Sequence, residues 1–371
     1  MKQIKKTLKI LILLIITSAN AQSNQNELDS IVNQFRLAYN VPAISASVIK
    51  IDTILYGISG FKRYEENKKI DKYSKFHLGS NTKAITSMVA AKLVEKGIIK
   101  WDTKLVEAIP ELKNSIKKEY INITLEQLLS HRAKVSPFEK DTSKEWRGMP
   151  KSISNKKNQK LVFAKYALNL KPSYSKKTNH LYSNGGYIIA ALLLEAKSGK
   201  TWETLVDDLF KKIIVDYYVG FPSQESINGT YGHKKNGKKY KLVQPNKEYP
   251  LENYFAPAGN ISLNIIGFSK LIQLHLQGLM GSNNYLISNS YQKLHFGLEK
   301  YALGWYNGNI GDTEQKFSYH GGSLGTFSSA VIISADRKVA IIILVNADDK
   351  NVNQLKNELR VHLWNKYGFK H

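Results

Sequence analysis

The sequence predicts an α+β fold, with an antiparallel sheet assembled from both ends of the chain, flanked by helices, and a mostly helical lobe inserted between them. Three observations predict it. Alternating segments rich in β-branched residues occupy 43–60 and recur within 301–346. Helical periodicity dominates the stretch between them. The repeated strand–helix alternation of a parallel α/β sheet is absent.

The first residues read as a processing signal. Lys2, Lys5, Lys6 and Lys9 precede the apolar run Ile10 to Ile16, and Ala19-Asn20-Ala21 places small residues at a cleavage spacing. That run is too short to span a bilayer, and no other segment is long and apolar enough to do so. The expectation is an exported protein, periplasmic or extracellular, cleaved near Ala21-Gln22, with no integral membrane segment after cleavage. An uncleaved N-terminal anchor is the alternative. Residues 22–371 read as one domain, with an α/β lobe over about 26–80 and 255–371 and a helical lobe over about 81–254.

Residues 26–39 carry Leu28, Ile31, Val32 and Phe35 on one helical stripe. Ala43 to Lys50 and Thr53 to Gly60 alternate as a hairpin around Ile51-Asp52. Phe76 to Gly79 is extended and leads into a helix that starts near Ser80. Ile85, Met88, Val89 and Leu93 are its apolar face, and Gly97 suits its stop. Helical patterns follow at 123–131, 182–198, 204–215 and 261–278, while the lysine- and serine-rich stretch 135–180 reads as loops. Tyr301–Gly308, Lys316–Tyr319, Thr326–Ser334 and Val339–Asn346 read as strands, with Ile341 to Val345 fully buried, and 351–366 is a closing helix.

Composition excludes several classes. The chain has no cysteine, so it relies on its core and not on disulfides, which 371 residues permit. Its net charge of +24 becomes +20 without residues 1–21, which hold four lysines and no acid. The lysines are scattered, with clusters at Lys156-Lys157, Lys176-Lys177 and Lys234 to Lys241, and no nucleic-acid module interleaves them with aromatics. They read as a solvated surface, with attraction to anionic envelope polymers as the second explanation. The nine histidines show no ligand spacing and no phosphate-cradling glycine loop occurs, so neither metal nor cofactor is expected.

Three constellations carry chemistry. In Ser80-Asn81-Thr82-Lys83 the i, i+3 spacing sets Lys83 beside the Ser80 hydroxyl, and a desolvated lysine can take a serine's proton. The same spacing recurs at Ser47, Ser59, Ser115, Ser154, Ser173 and Ser290, but only Ser80 sits between an extended apolar lead-in and a well-formed helix. Tyr182-Ser183-Asn184 precedes a glycine turn; its phenol can relay protons and its amide can orient a carbonyl. Tyr120-Ile121-Asn122 is the decoy, read as structural. His320-Gly321-Gly322-Ser323 leaves a strand; paired glycines admit a substrate backbone, and the Ser323 N–H can join that of Ser80 in an oxyanion hole.

These triplets and their order resemble the family of class C β-lactamases, low-molecular-weight penicillin-binding proteins and related esterases, whose motifs are S-x-x-K, Y-x-N and K-T-G or H-x-G. Tyr182 follows Ser80 by 102 residues and His320 follows by 138 more. Phe76 to Lys83, Ile123 to His131, Tyr182 to Thr201, Ala256 to Leu271, Leu303-Gly304-Trp305 and His320 to Ser329 share the likeness, which spans roughly 26–366. The resemblance implies a β-lactamase/transpeptidase-like fold. It makes Ser80 the nucleophile, Lys83 the base partner, Tyr182 the proton relay and Asn184, His320, Gly322 and Ser323 substrate-binding residues. The substrate would be a small molecule or peptide, such as one derived from the cell wall.

Two departures stand out. His320 and Gly321 replace the lysine and hydroxyl residue that many β-lactamases carry, which weakens a carboxylate clamp, and Arg132-Ala133-Lys134 replaces a small turn after His131. With His320 only partly charged near neutral pH, the expectation is that small esters or D-amino-acid amides are better substrates than penicillins. Two rivals remain open: a catalytically silent scaffold on the same fold, and a nucleophile elbow at Gly321-Gly322-Ser323-Leu324-Gly325 with Asp348 and His362.

Overall fold

The computed structural model describes residues 25–139, 144–150, 158–237, 239–249, 251–309, 311, 313–336 and 338–368. The leader expected over 1–21 lies outside them, as does the Lys156-Lys157 cluster.

A helix over 25–38 leads into β1 (Ala43–Ile49) and β2 (Ile54–Arg63), with β3 (Lys68–Lys69) at the sheet edge. The short strands β4 (Lys75–His77), β5 (Tyr217–Val219) and β8 (Ile261–Asn264) form a second sheet, and β6 (His233–Asn236) and β7 (Lys239–Leu242) a separate hairpin. The chain ends with β9 (Tyr306–Asn309), β10 (Lys316–Leu324), β11 (Phe327–Ser334), β12 (Val339–Val345) and the helix Lys350–Tyr367. The main sheet has the order β3-β2-β1-β12-β11-β10-β9, its neighbours antiparallel, so the first and last strands of the chain meet at its centre with Ala46 opposite Ile343.

The unbroken apolar run 341–345 follows from burial on both faces. Ile342 and Leu344 join the core shared with the helical lobe. Ile341, Ile343 and Val345 pack with Leu28 and Val32 and with Leu355 and Leu359 of the terminal helices. Sheet from both ends and helices between is the α+β arrangement expected. In the helical part, Thr82–Glu95 is buried on nearly all sides, so it is a central helix and not an amphipathic one.

Some local expectations are corrected. The stretch 135–180, read as loops, contains the helix Gln159–Ala167, whose Phe163, Ala164 and Ala167 are fully buried. Its three apolar anchors were masked by surrounding lysines and serines. Within 261–278, Ile261–Asn264 is a strand before the helix Ile265–Leu279, because pairing with β4 overrides the local pattern. The strand expected from Tyr301 begins only at Tyr306. His320 to Ser323 lie inside β10 and do not follow it.

Candidate active site

Ser80 sits in a 3-10 turn, Gly79–Asn81, directly before the helix Thr82–Glu95. Side chains from distant segments pin that turn. Thr82 Oγ1 donates to the Gly79 carbonyl at 2.8 Å, and Asn81 Nδ2 donates at 2.7 Å to Ser329 Oγ, which itself donates to the Leu78 carbonyl. His77 Nδ1 accepts from the Gly79 N–H, so its proton lies on Nε2 and is given to Asn260 Oδ1. Burial leaves that ring neutral, its pKa pushed down to about 4. Gly79 has φ 52°, and a Cβ there would lie 2.7 Å from the Ser323 nitrogen. The nucleophile turn thus rests against the third-motif strand, and only glycine permits both the φ and the approach.

Lys83 is fully buried. Its Nζ lies 3.1 Å from Ser80 Oγ, 2.7 Å from Asn184 Oδ1 and 2.6 Å from the Ala258 carbonyl oxygen. Asn184 Nδ2 donates to the Phe138 carbonyl at 2.9 Å, which fixes the amide with its oxygen toward the lysine. Desolvation holds the Lys83 ammonium well below its ordinary pKa, with Glu139 opposing weakly. A neutral amine has two N–H bonds and one lone pair. The two carbonyl-type acceptors take the N–H bonds, and the lone pair is left for the Ser80 hydroxyl proton.

Tyr182 lies within hydrogen-bonding reach of Ser80, and its ring is 4.7 Å from Lys83 Nζ. Burial raises its phenol well above the ordinary value, so it is protonated. His131 sets the loop that carries it. With φ 62°, its carbonyl accepts from Leu181 N, its Nδ1 accepts from Ser183 N at 3.1 Å, and its ring lies 4.4 Å from that of Tyr182. Ser183 caps the helix Asn184–Ser198. Both ends of the Asn184 amide are hydrogen-bonded within the protein, and its side chain borders the cavity beside Ser80. Tyr120 is fully buried with its hydroxyl toward backbone carbonyls, which makes its triplet structural as expected.

In β10, His320 Nδ1 donates to the Gly321 carbonyl at 2.7 Å, leaving Nε2 to accept from the Tyr301 hydroxyl at 3.4 Å. Burial first, and then Lys83, push its pKa down to about 3. The partly charged histidine expected from sequence is therefore neutral, with no N–H left for a substrate anion. Gly322 packs against the Leu78 carbonyl, which any Cβ would overlap. Ser323 Oγ donates to Asp348, and His362 packs against Phe35 of the N-terminal helix. Strand β11 follows after a tight turn at Gly325, so Ser323 lies on a hairpin and the strand–turn–helix of a nucleophile elbow is not formed.

Ser80 is shared by two adjoining cavities. One, of about 370 Å³, is bounded by Tyr182, Tyr306, His320 and Lys356; the other, of about 360 Å³, by Phe138, Trp146, Asn184 and Phe255. Glu139, Tyr306 and Lys356 were not singled out from the sequence. Tyr306 fell in an expected strand with nothing to mark it, and Lys356 was one of many lysines. Among the described residues no group of three or more His, Asp or Glu side chains is placed to hold a metal ion.

A sequence model of the beta-lactamase family matches residues 28–364. The chain belongs to this family. Beta-lactamase-family relatives include protein flp of Staphylococcus aureus, 20% identical over 350 residues, with 92% of this chain and 67% of that protein covered. The unguisins hydrolase ungD' of Aspergillus campestris is 26% identical over 192 residues, covering 50% of this chain and 33% of that protein. The octameric penicillin-binding protein homologue from Pyrococcus abyssi superposes with a TM-score of 0.73 over 93% of this chain and 78% of its own, at 18% identity. The fold is thus the penicillin-binding-protein-like fold of the beta-lactamase family, and both support a serine hydrolase.

Proposed function

We propose that this beta-lactamase-family protein is an exported hydrolase that cleaves an ester or amide through an acyl-enzyme on Ser80. The observation that carries the proposal is the fully buried Lys83, its Nζ held by two fixed acceptors and 3.1 Å from the Ser80 hydroxyl. Burying an amine costs stability, and a silent scaffold gains nothing from it.

In acylation the Ser80 proton moves to Lys83 Nζ as Oγ attacks the substrate carbonyl. Charge on the carbonyl oxygen develops beside the backbone N–H groups of Ser80 and Ser323, which the Gly79 contact holds together. Tyr182, protonated at rest, gives its proton to the leaving group and recovers one from the Lys83 ammonium. The leaving-group bond breaks and the acyl group stays on Oγ. Water then attacks the ester with the same residues acting in reverse. Asn184 holds the lysine, while His320 and Gly322 shape the wall along which the substrate lies.

Small esters and D-amino-acid amides suit this site better than penicillins, because neutral His320 stands where a carboxylate-binding lysine would. The test is a panel of nitrocefin, a D-Ala-D-Ala peptide and a short nitrophenyl ester, with fluorophosphonate labelling read by intact mass. Labelling and turnover vanish in Ser80→Ala and persist in Ser323→Ala. The reverse pattern refutes the mechanism. Wild-type nitrocefin turnover near 10⁶ M⁻¹s⁻¹, roughly that of an efficient enzyme, refutes the substrate preference.

A further inference from the structure

Glu139 borders both cavities that meet at Ser80, and among the described residues it is the only acidic side chain lining either. The loop that carries it is tied to the site, because the neighbouring Phe138 carbonyl accepts from Asn184 Nδ2. In a chain of net charge +24 its carboxylate is exposed and forms no ion pair among the described residues.

The two cavities differ in chemistry. One carries an aromatic wall: Phe138 and Trp146 meet edge to face with ring centroids 5.7 Å apart, and Trp146 lies 5.7 Å from Phe255. No described lysine, arginine or histidine borders it. The other holds Tyr182, His320 and Lys356. Tyr182 protonates the leaving group in the mechanism above, so the leaving group lies in its cavity and the acyl group in the aromatic one. Aromatic faces attract cations through the ring quadrupole, and a carboxylate at the rim adds Coulomb attraction. In the free enzyme that carboxylate works against catalysis, because its charge favours the Lys83 ammonium against the desolvation that lowers it. A cation bound beside Glu139 cancels this field.

We propose that Glu139 selects substrates whose acyl group carries an organic ammonium, held against the wall of Phe138 and Trp146; the proposal rests on the acyl-enzyme reading above. The bound ammonium neutralises the carboxylate and relieves Lys83 of the charge that opposes its role as base. A neutral ester of the same shape gains neither effect.

The nitrophenyl ester of γ-(trimethylammonio)butyrate and its isostere with tert-butyl in place of trimethylammonium differ by one charge at nearly constant shape. The ratio of their kcat/KM values, cationic over neutral, is expected to exceed one and to fall with added salt. In Glu139→Gln it is expected to fall about fivefold or more. Any effect of the substitution on Lys83 in the free enzyme acts on both esters and cancels in the ratio. A ratio unchanged within about twofold in Glu139→Gln overturns the proposal. Trp146→Leu is expected to lower the ratio as well; equal losses for the two esters overturn the aromatic contact. Calorimetry with γ-(trimethylammonio)butyramide on the Ser80→Ala protein reads the contact without turnover. Binding tighter than that of the tert-butyl amide, and lost on adding Glu139→Gln, supports it; equal binding of the two amides overturns it. If the wild type hydrolyses neither ester while the cationic amide still binds through Glu139, the acyl-enzyme mechanism fails and the cation contact stands.

Discussion

The amide oxygen of Asn184 accepts a hydrogen bond from Lys83 Nζ at 2.7 Å, across 101 residues of sequence. A neutral acceptor there leaves the lysine free to lose its proton. Asn184→Asp keeps the shape and places a carboxylate beside the amine, which favours the ammonium by about one to three pH units. The acid limb of kcat/KM is expected to move up by that amount, with activity below the limb reduced about ten- to thousandfold and recovering as pH rises. An unmoved limb would show that Lys83 is not the base.

Gly321 and Gly322 are adjacent and opposite in tolerance. Gly322→Ala drives a Cβ into the Leu78 carbonyl and against Ser329 Oγ. It is expected to cost about 1–3 kcal/mol and to displace the nucleophile turn. Gly321→Thr faces open space and is expected to change stability by about 0.5 kcal/mol or less. Urea unfolding of the two variants checks this; equal losses would refute the packing described for β10.

Burial holds several histidines neutral. The pKa of His77 and of His233 falls to about 4, and that of His275 and of His320 to about 3, with desolvation the largest cause in each. Their unfolded values lie near 6.5, so the unfolded chain binds more protons below that pH. The stability they contribute is fully present above about pH 6.5 and is lost as pH falls toward 4. Each histidine loses up to about 1.4 kcal/mol per pH unit in that window. Unfolding free energy measured from pH 7.5 to 4.5 should fall steeply below 6.5; a flat profile would contradict the burial of these rings.

Export is testable at the protein terminus. The mature protein is expected to begin at or near Gln22, outside the cytoplasm, by N-terminal sequencing of the fractionated product. A full-length cytoplasmic product refutes it.

The sequence by itself determined the α+β class and the three motifs that come together at the site. The reason is local: period-two strands at both ends leave few partners except each other, and Ser80 and Lys83 share one helical turn. Tyr182 and His320 were legible as motifs because paired glycines follow each closely in sequence. The helix Gln159–Ala167 was not, since few apolar anchors among lysines carry little periodic signal. Only the tertiary structure decided the charge states and the environment of the site. Lys83 is held well below its ordinary pKa because the core desolvates it, while Ala258, 175 residues away, and Asn184 orient its N–H bonds. His320 is neutral because burial first, and then Lys83, hold its pKa down to about 3 against the opposing pull of the Gly321 carbonyl, whatever partial charge its type alone suggests. Lys356 borders the cleft because the closing helix packs on β12 and brings it beside Gly321, which carries no side chain. Desolvation and long-range contact set these properties, and neither is written in local pattern.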